Sequence, residues 1–300
     1  MSLLDRTVAS AVPHLPRSLV GQVAKRYISG EDLDSAFRVT RELNGLGITT
    51  TLDVLGENVR DWSQVDGTAD LYRRILTGLR EQRLDGNVSV KLTSLGLSLD
   101  RDRCAGLVRD LVDRAHDLDL FVRIDMEDSS TTDDTLAIFR DIHRSRDNLG
   151  VVLQARLKRS ERDARELAEM GARVRICKGI YREPPSIAYQ DGAEINHSFL
   201  RITEHLLAHG CHVGIATHDA ALVEGSYRIL EKLGGCSGGY EFQMLYGVTE
   251  GLRGTIVAAG HPLRVYVPFG REWYDYSIRR LRENPQIAGH VFRAMIGLGG

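Results

Sequence analysis

The sequence predicts an α/β protein, a single (β/α)8 barrel with an N-terminal helical arm, and three observations carry that prediction. Short β-rich runs recur eight times along the chain. Helical patterns lie between them, with apolar residues three and four apart and charges on the opposite face. Glycines stand where helices should end and strands begin: Gly47, Gly86, Gly150, Gly171, Gly210 and Gly239. Strand–helix alternation repeated eight times means parallel pairing, and about 250 residues closes such a barrel.

Residues 1–44 are expected to form the arm and 45–300 the barrel, with no Ser/Gly/Pro linker between them. The eight strands are expected at 48–55, 88–92, 120–125, 150–154, 174–177, 212–216, 240–244 and 263–267. Helices are expected at 71–83, 103–118, 132–146, 161–170, 195–208 and 220–233. A further helix should follow the last strand, from Tyr276 to Glu283.

Composition narrows the class of function. The chain has 300 residues, a net charge of −2, 42% hydrophobic and 27% charged residues. No global basic field exists to hold a nucleic-acid backbone. No apolar run approaches the ~20 residues that cross a bilayer. The four cysteines are far apart without a C-x-x-C pair, which fits a reducing compartment and a cytoplasmic protein. The mildly amphipathic first 27 residues, with Asp5 early, read as a surface helix and not a signal peptide, which leaves peripheral contact with the inner face of a cell membrane open. Basic residues are 34 Arg against 5 Lys, in keeping with a GC-rich bacterial genome.

Alternation within the strands says more than their number. Side chains two apart share a face. Ile48, Thr50, Leu52 and Val54 form the outer face of the first strand, so Thr51 and Asp53 point inward. The same rule turns Lys91, Arg123, Asp125, Gln154, Arg175, Glu241, Gln243, Arg264 and Tyr266 inward. Barrel cores are ordinarily layers of Val, Ile and Leu, and unpaired buried charge is costly. Seven inward charges therefore need a reason, and several of them sit at or near the C-terminal strand ends, which predicts a polar site at the rim where barrel active sites are built. The plainer alternative is a structural ion-pair network, such as Lys91 with Asp125 or Arg175 with Glu241.

Other motifs are weaker. No G-x-G-x-x-G and no G-x-x-x-x-G-K-[ST] occurs, so a Rossmann dinucleotide fold and a P-loop are both unsupported. The glycine-rich run 234–239 precedes the seventh strand and reads as a helix-to-strand turn. His205, His209 and His212 have a spacing that suits a metal, but they fall at the N-terminal side of the sixth strand, and no metal is expected there. In the last helix Arg279 and Glu283 are four apart, and Arg279 with Arg280 can form a donor clamp for one carboxylate.

Eight ordered blocks make the chain resemble the proline dehydrogenase family over nearly its whole length. They are Val90-Lys91-Leu92-Thr93, Ile124-Asp125-Met126-Glu127, Leu153-Gln154-Ala155, Arg175-Ile176-Cys177-Lys178-Gly179, Ala216-Thr217-His218-Asp219, Glu241 to Gly247, Arg264 to Gly270, and Tyr276 to Glu283. The resemblance implies a distorted barrel that holds FAD in its mouth without a Rossmann unit, with the final helix over that mouth. It also implies a monofunctional member, since 300 residues cannot carry the aldehyde dehydrogenase domain of the bifunctional relatives.

The implied reaction is oxidation of L-proline to Δ1-pyrroline-5-carboxylate by hydride transfer to FAD N5, with electrons passed to a quinone or another acceptor. A separate pyrroline-5-carboxylate dehydrogenase would consume the product. By the same resemblance Arg279, Arg280 and Lys91 bind the substrate carboxylate, and Glu283 holds Arg279. Asp125 orients Lys91, Arg175 lies near flavin N5, and Tyr266 and Leu245 wall the ring. Tyr276 stands beside the carbon that carries a hydroxyl in hydroxyproline. Gln154, the backbone around Met126, Lys178, Gly179 and Ile180, and Thr217 with His218 hold FAD. Ile180 and Tyr246 depart from the family pattern, where Ala and His are common, and Ile180 is expected to crowd the flavin.

The chemistry is consistent with these residue types. Side chains cannot accept a hydride, so a cofactor must, while the protein supplies position and charge. Three readings stand beside this one. A hydroxyproline dehydrogenase would share the site. A Schiff-base aldolase would use Lys91 or Lys178 as a desolvated amine. An amino-acid sensor would use the arginine clamp without flavin.

Overall fold

The computed structural model describes residues 17–57, 59–234, 239–274 and 276–278. Eight parallel strands close in sequence order, each beside the next, with β8 returning to β1. They are β1 (Thr49–Val54), β2 (Gly86–Val90), β3 (Val122–Ile124), β4 (Leu149–Gln154), β5 (Arg173–Cys177), β6 (Val213–Ala216), β7 (Tyr240–Leu245) and β8 (Leu263–Phe269). The (β/α)8 class expected from the alternation is the observed one.

The helices are α1 (Arg17–Tyr27) and α2 (Leu33–Asn44) before the first strand, then α3 (Trp62–Glu81), α4 (Arg101–Asp117), α5 (Thr132–His143), α6 (Ser160–Glu169), α7 (Gly192–Ala208), α8 (Ala220–Leu233) and α9 (Glu250–Ala258). Helix α3 starts nine residues before its expected 71. Asp61 caps it by accepting from the Gln64 amide at 3.0 Å, and the polar first turns hide the apolar period. Helix α9 was not expected at all; it is short and carries two glycines. Asp32, Asp100, Asp191 and Asp219 cap α2, α4, α7 and α8 in the same way as Asp61.

Outward strand residues such as Leu52, Val90, Ile124, Val151, Ile176, Ile215 and Val265 are fully buried under the helices. Around the outside, arginines bridge neighbouring helices, Arg73 to Asp110 and Arg109 to Asp141, and Arg146 in the loop after α5 reaches back to Asp113 on α4. Each such exposed pair contributes at most about 1 kcal/mol.

Helix α2 lies against β1 and β8, filling the groove outside that seam. Helix α1 runs to the C-terminal end of the barrel, where Ala24, Tyr27, Ile28, Leu55 and Tyr276 form a small apolar cluster. Residues 273–274 and 276–278 are helical, and Trp273 Nε1 donates to Glu31 Oε1 at 2.8 Å, tying this helix to the arm. No helix among the described residues is long and apolar enough to cross a membrane.

The inward face is polar, as alternation predicts, but it is divided in height. Asp53, Lys91, Asp125 and Arg175 line a cavity at the C-terminal mouth, whereas Arg123, Glu241 and Arg264 line a separate one at the N-terminal floor. The expected convergence of mixed polar groups at one rim therefore holds for four of the seven charges, and the other three belong to the floor. Alternation fixes the face a side chain takes, and the stagger between strands fixes its height. Gly150 and Gly214 make room between the two sets. A Cβ at Gly150 would lie 2.5 Å from Arg123 Nη1, and one at Gly214 would lie 2.5 Å from Gln243 Nε2.

Candidate active site

The mouth cavity measures about 570 Å3 and is built from the C-terminal ends of the strands and the loops that follow. At its base sits a closed network of four charges. Arg175 Nη1 donates to Asp125 Oδ1 at 2.7 Å, and its Nε donates to Gln243 Oε1 at 2.5 Å. Tyr266 Oη donates to Asp125 Oδ2 at 2.7 Å, and Ser89 Oγ donates to Oδ1 at 2.7 Å. Lys91 Nζ donates to Asp53 Oδ1 at 2.5 Å and lies 4.0 Å from Asp125 Oδ2. The Arg175 guanidinium also faces the Tyr266 ring, 5.2 Å from its centroid.

Of the two expected pairings, Lys91 with Asp125 is present at 4.0 Å, with Asp53 as the closer, hydrogen-bonded partner of the lysine. The other is corrected: Arg175 pairs with Asp125 and not with Glu241, which lies two residues below Gln243 on β7 and pairs with Arg264 at 2.7 Å.

Burial opposes ionisation of Asp125, but Arg175 and Lys91, with the bonds from Tyr266 and Ser89, hold its carboxyl below the usual range. Burial pushes Asp53 the other way and Asp125 adds to the rise, against the pull of Lys91. Lys91 ends above its ordinary value, because the two carboxylates outweigh its desolvation. Burial and then Asp125 and Asp53 push the Tyr266 phenol well up, so it stays a neutral donor. Lys91 thus remains charged, and Asp125 is the shared counter-ion of Lys91 and Arg175.

A second set of residues lines the side of the cavity. Gln154 Nε2 donates to the Glu127 carbonyl at 2.7 Å, and a Cβ on Gly179 would come within 2.7 Å of Gln154 Oε1. Gly179 has φ +93°, which only glycine adopts readily, and keeps that wall bare. Lys178 Nζ pairs with Asp219 Oδ2 at 2.7 Å. His218 Nε2 accepts from the Leu245 amide at 3.0 Å, so its proton sits on Nδ1 and points to Thr249 Oγ1 at 2.9 Å.

Met126, Thr217, Leu245 and Tyr276 also line the cavity, and Tyr276 is 7% exposed. Ile180 lies at the lip, 45% exposed, and Tyr246 is absent from the lining. Arg279, Arg280 and Glu283 lie outside the described residues.

Sequence reasoning gave no role to Asp53, Gln243, Ser89, Asp219 or Glu127. Asp53 and Gln243 were readable as inward, and Asp219 stands in the Thr217–Asp219 block. Glu127 buttresses the site by accepting from the Thr93 amide and hydroxyl.

A closed parallel barrel whose strand ends deliver a buried, charge-balanced network into one mouth cavity defines an enzyme of the (β/α)8 class. Residues 36–293 match the family model described as proline dehydrogenase, and the chain belongs to that family. It is 32% identical over 272 residues to proline dehydrogenase 2 of Bacillus subtilis, covering 91% of this chain and 90% of the relative. It is also 32% identical over 290 residues to the proline dehydrogenase of Deinococcus radiodurans, covering 95% and 94%. Among solved structures, proline utilization A from Bdellovibrio bacteriovorus inactivated by N-propargylglycine superposes with a TM-score of 0.83 at 26% identity. That match covers 88% of this chain and 33% of the longer protein, so this chain spans about a third of its length.

Proposed function

We propose that the protein oxidises L-proline to Δ1-pyrroline-5-carboxylate with FAD bound in the barrel mouth. The observation that carries this reading is the Asp53–Lys91–Asp125–Arg175–Tyr266 network at the base of a cavity, in a chain of this family. The cavity volume is within the range of small-molecule sites. The bare wall at Gly179, beside Gln154 Oε1, suits a flat ring laid against backbone. Gln154, Lys178, Gly179, Ile180, Thr217, His218 and the backbone around Met126 would hold the cofactor. When bound, FAD supplies the two-electron acceptor for a hydride leaving the proline ring, a capacity that no side chain has.

The protein's own residues do the positioning. Lys91 has three donors, of which Asp53 takes one and Tyr266 a weak second at 3.5 Å, so a third is left for a carboxylate. Arg279 and Arg280 would complete the carboxylate clamp, with Glu283 holding Arg279. Among the described residues Arg175 spends Nε on Gln243 and Nη1 on Asp125 and Ser89, with Nη2 left for the cavity. Tyr266, Leu245 and Tyr276 wall the ring and exclude water. Electrons leave to a quinone or another acceptor, and a separate dehydrogenase consumes the product.

A Schiff-base aldolase fits less well. Lys91 is held protonated by two carboxylates, and Lys178 is tied to Asp219, whereas an amine nucleophile needs a lowered pKa. Acid precipitation of protein purified without flavin-stripping steps should release yellow, FAD-like absorbance equal to one per chain. A colourless supernatant would remove the cofactor from this account.

A further inference from the structure

The floor of the barrel holds a second cavity, of about 720 Å3, that shares no lining residue with the mouth. Its interior carries three guanidiniums, Arg123, Arg173 and Arg264, against one carboxylate, Glu241. Glu241 is already engaged, accepting from Arg264 Nε and from Gln243 Nε2, both at 2.7 Å. Arg123 is 2% exposed; its Nη1 donates only to the carbonyls of Arg173 at 2.8 Å and Val151 at 3.3 Å. Its Nε is buried with no hydrogen-bond partner among the described residues, and so is Nδ1 of His212.

Arg173 and Arg123 both lie over the Phe121 ring, at 4.6 and 4.8 Å from its centroid. Neither meets a carboxylate within 4 Å among the described residues. Glu241, and then exposed Asp147, act on Arg173 only at longer range. At the opening, exposed Arg80 and Arg83 are matched by exposed Asp85 and Asp119. The rim is therefore balanced, while the interior keeps an excess of two positive charges.

Guanidinium stays protonated in proteins, so the excess persists at neutral pH. A buried cation without a counter-ion is costly, and a bound anion removes that penalty. Two guanidiniums with unused N–H groups favour a divalent oxyanion over a single carboxylate, because forked donors match its geometry. We propose that the floor cavity is a binding site for a phosphate group, held by Arg123, Arg173 and His212. The volume leaves room beyond the phosphate for a small organic tail.

Calorimetric titration of the holoenzyme tests this, using inorganic phosphate and glycerol phosphate in chloride buffer of matched ionic strength. Saturable binding at one site per chain is expected. Arg173→Gln, whose side chain is only partly buried, should weaken it by about tenfold or more while proline oxidation stays within about twofold. Arg123→Met should abolish it. Tighter binding of the ester than of the free ion would make an organic phosphate the occupant, and the reverse would make it inorganic phosphate. No saturable heat with either probe, or equal affinity in native and Arg173→Gln protein, overturns the proposal.

Discussion

At the mouth of the barrel Asp53 and Asp125 face Lys91 and Arg175; at the floor Glu241 alone faces Arg123, Arg173 and Arg264. Three strands carry members of both sets. Asp125 is two residues after Arg123, Arg175 two after Arg173, and Tyr266 two after Arg264. At the mouth each of these four charges has an opposite partner, and the donors Tyr266 and Ser89 with the acceptor Gln243 Oε1 fill the remaining positions. At the floor two guanidiniums rest on carbonyls and an aromatic ring. The comparison teaches that burial alone does not make a working centre. A site that must stay aligned through a reaction satisfies its charges internally, and one that awaits a counter-ion does not.

The largest expected difference between the two ends comes from deleting one charge at each. Asp125→Ala leaves Arg175 and Lys91 short of a partner and should destabilise the fold by about 3–5 kcal/mol. Its kcat/KM for proline should fall at least about a hundredfold, as when other preorganised electrostatic groups are lost. Arg123→Met removes an unpaired charge and should leave stability within about 1 kcal/mol of native, or above it. Denaturant melts of both proteins check this. Equal losses would erase the distinction between a balanced and an unbalanced layer.

A smaller effect concerns substrate choice. Tyr276 lines the mouth cavity and is nearly buried, so its phenol ring would fill space that a 4-hydroxyl needs. Overpacking of that kind costs about 1–3 kcal/mol. L-Proline should be preferred over trans-4-hydroxy-L-proline by about one to two decades in kcat/KM, at about 1.4 kcal/mol per decade. Tyr276→Ser should shrink that preference, mainly by weakening proline. Kinetics with both substrates decide the matter; equal turnover by the native enzyme would take Tyr276 away from the ring.

The smallest effect belongs to the floor. Burial, with Arg173, Arg123 and Arg264 nearby and Glu241 opposing, lowers His212 to about 4 from the usual 6.5. Between those values the unfolded chain binds a proton that the folded chain does not, so stability falls as pH drops from 6.5 through about 4. The loss is at most about 3 kcal/mol, and less after solvent screening. His212→Gln should flatten that slope in melts taken across the same range. Phosphate bound beside the imidazole should flatten it too, by favouring the charged ring.

The barrel itself was legible because period-2 runs and glycine stops are local signals. Helix α8 fell within its expected bounds, while α3 was read short because its first turns are polar. The inward set was legible too, from Thr51 and Asp53 on β1 to Arg264 and Tyr266 on β8. Height was not. Ser89 on β2 pairs in register with Arg123 on β3, and Arg175 on β5 with Gly214 on β6, so depth depends on stagger accumulated around the ring. That is why Glu241 looked like a partner for Arg175 and proved to belong to the floor. Asp53 was seen to point inward, yet nothing in one strand's sequence says which lysine it will meet.

The central claim is that the mouth network prepares L-proline for two-electron oxidation. Flavin-loaded protein mixed with L-proline without oxygen tests it most directly. The yellow absorbance should bleach, and a pyrroline product, trapped by o-aminobenzaldehyde, should appear in equal amount. A protein that carries flavin but keeps its spectrum unchanged with L-proline would contradict it.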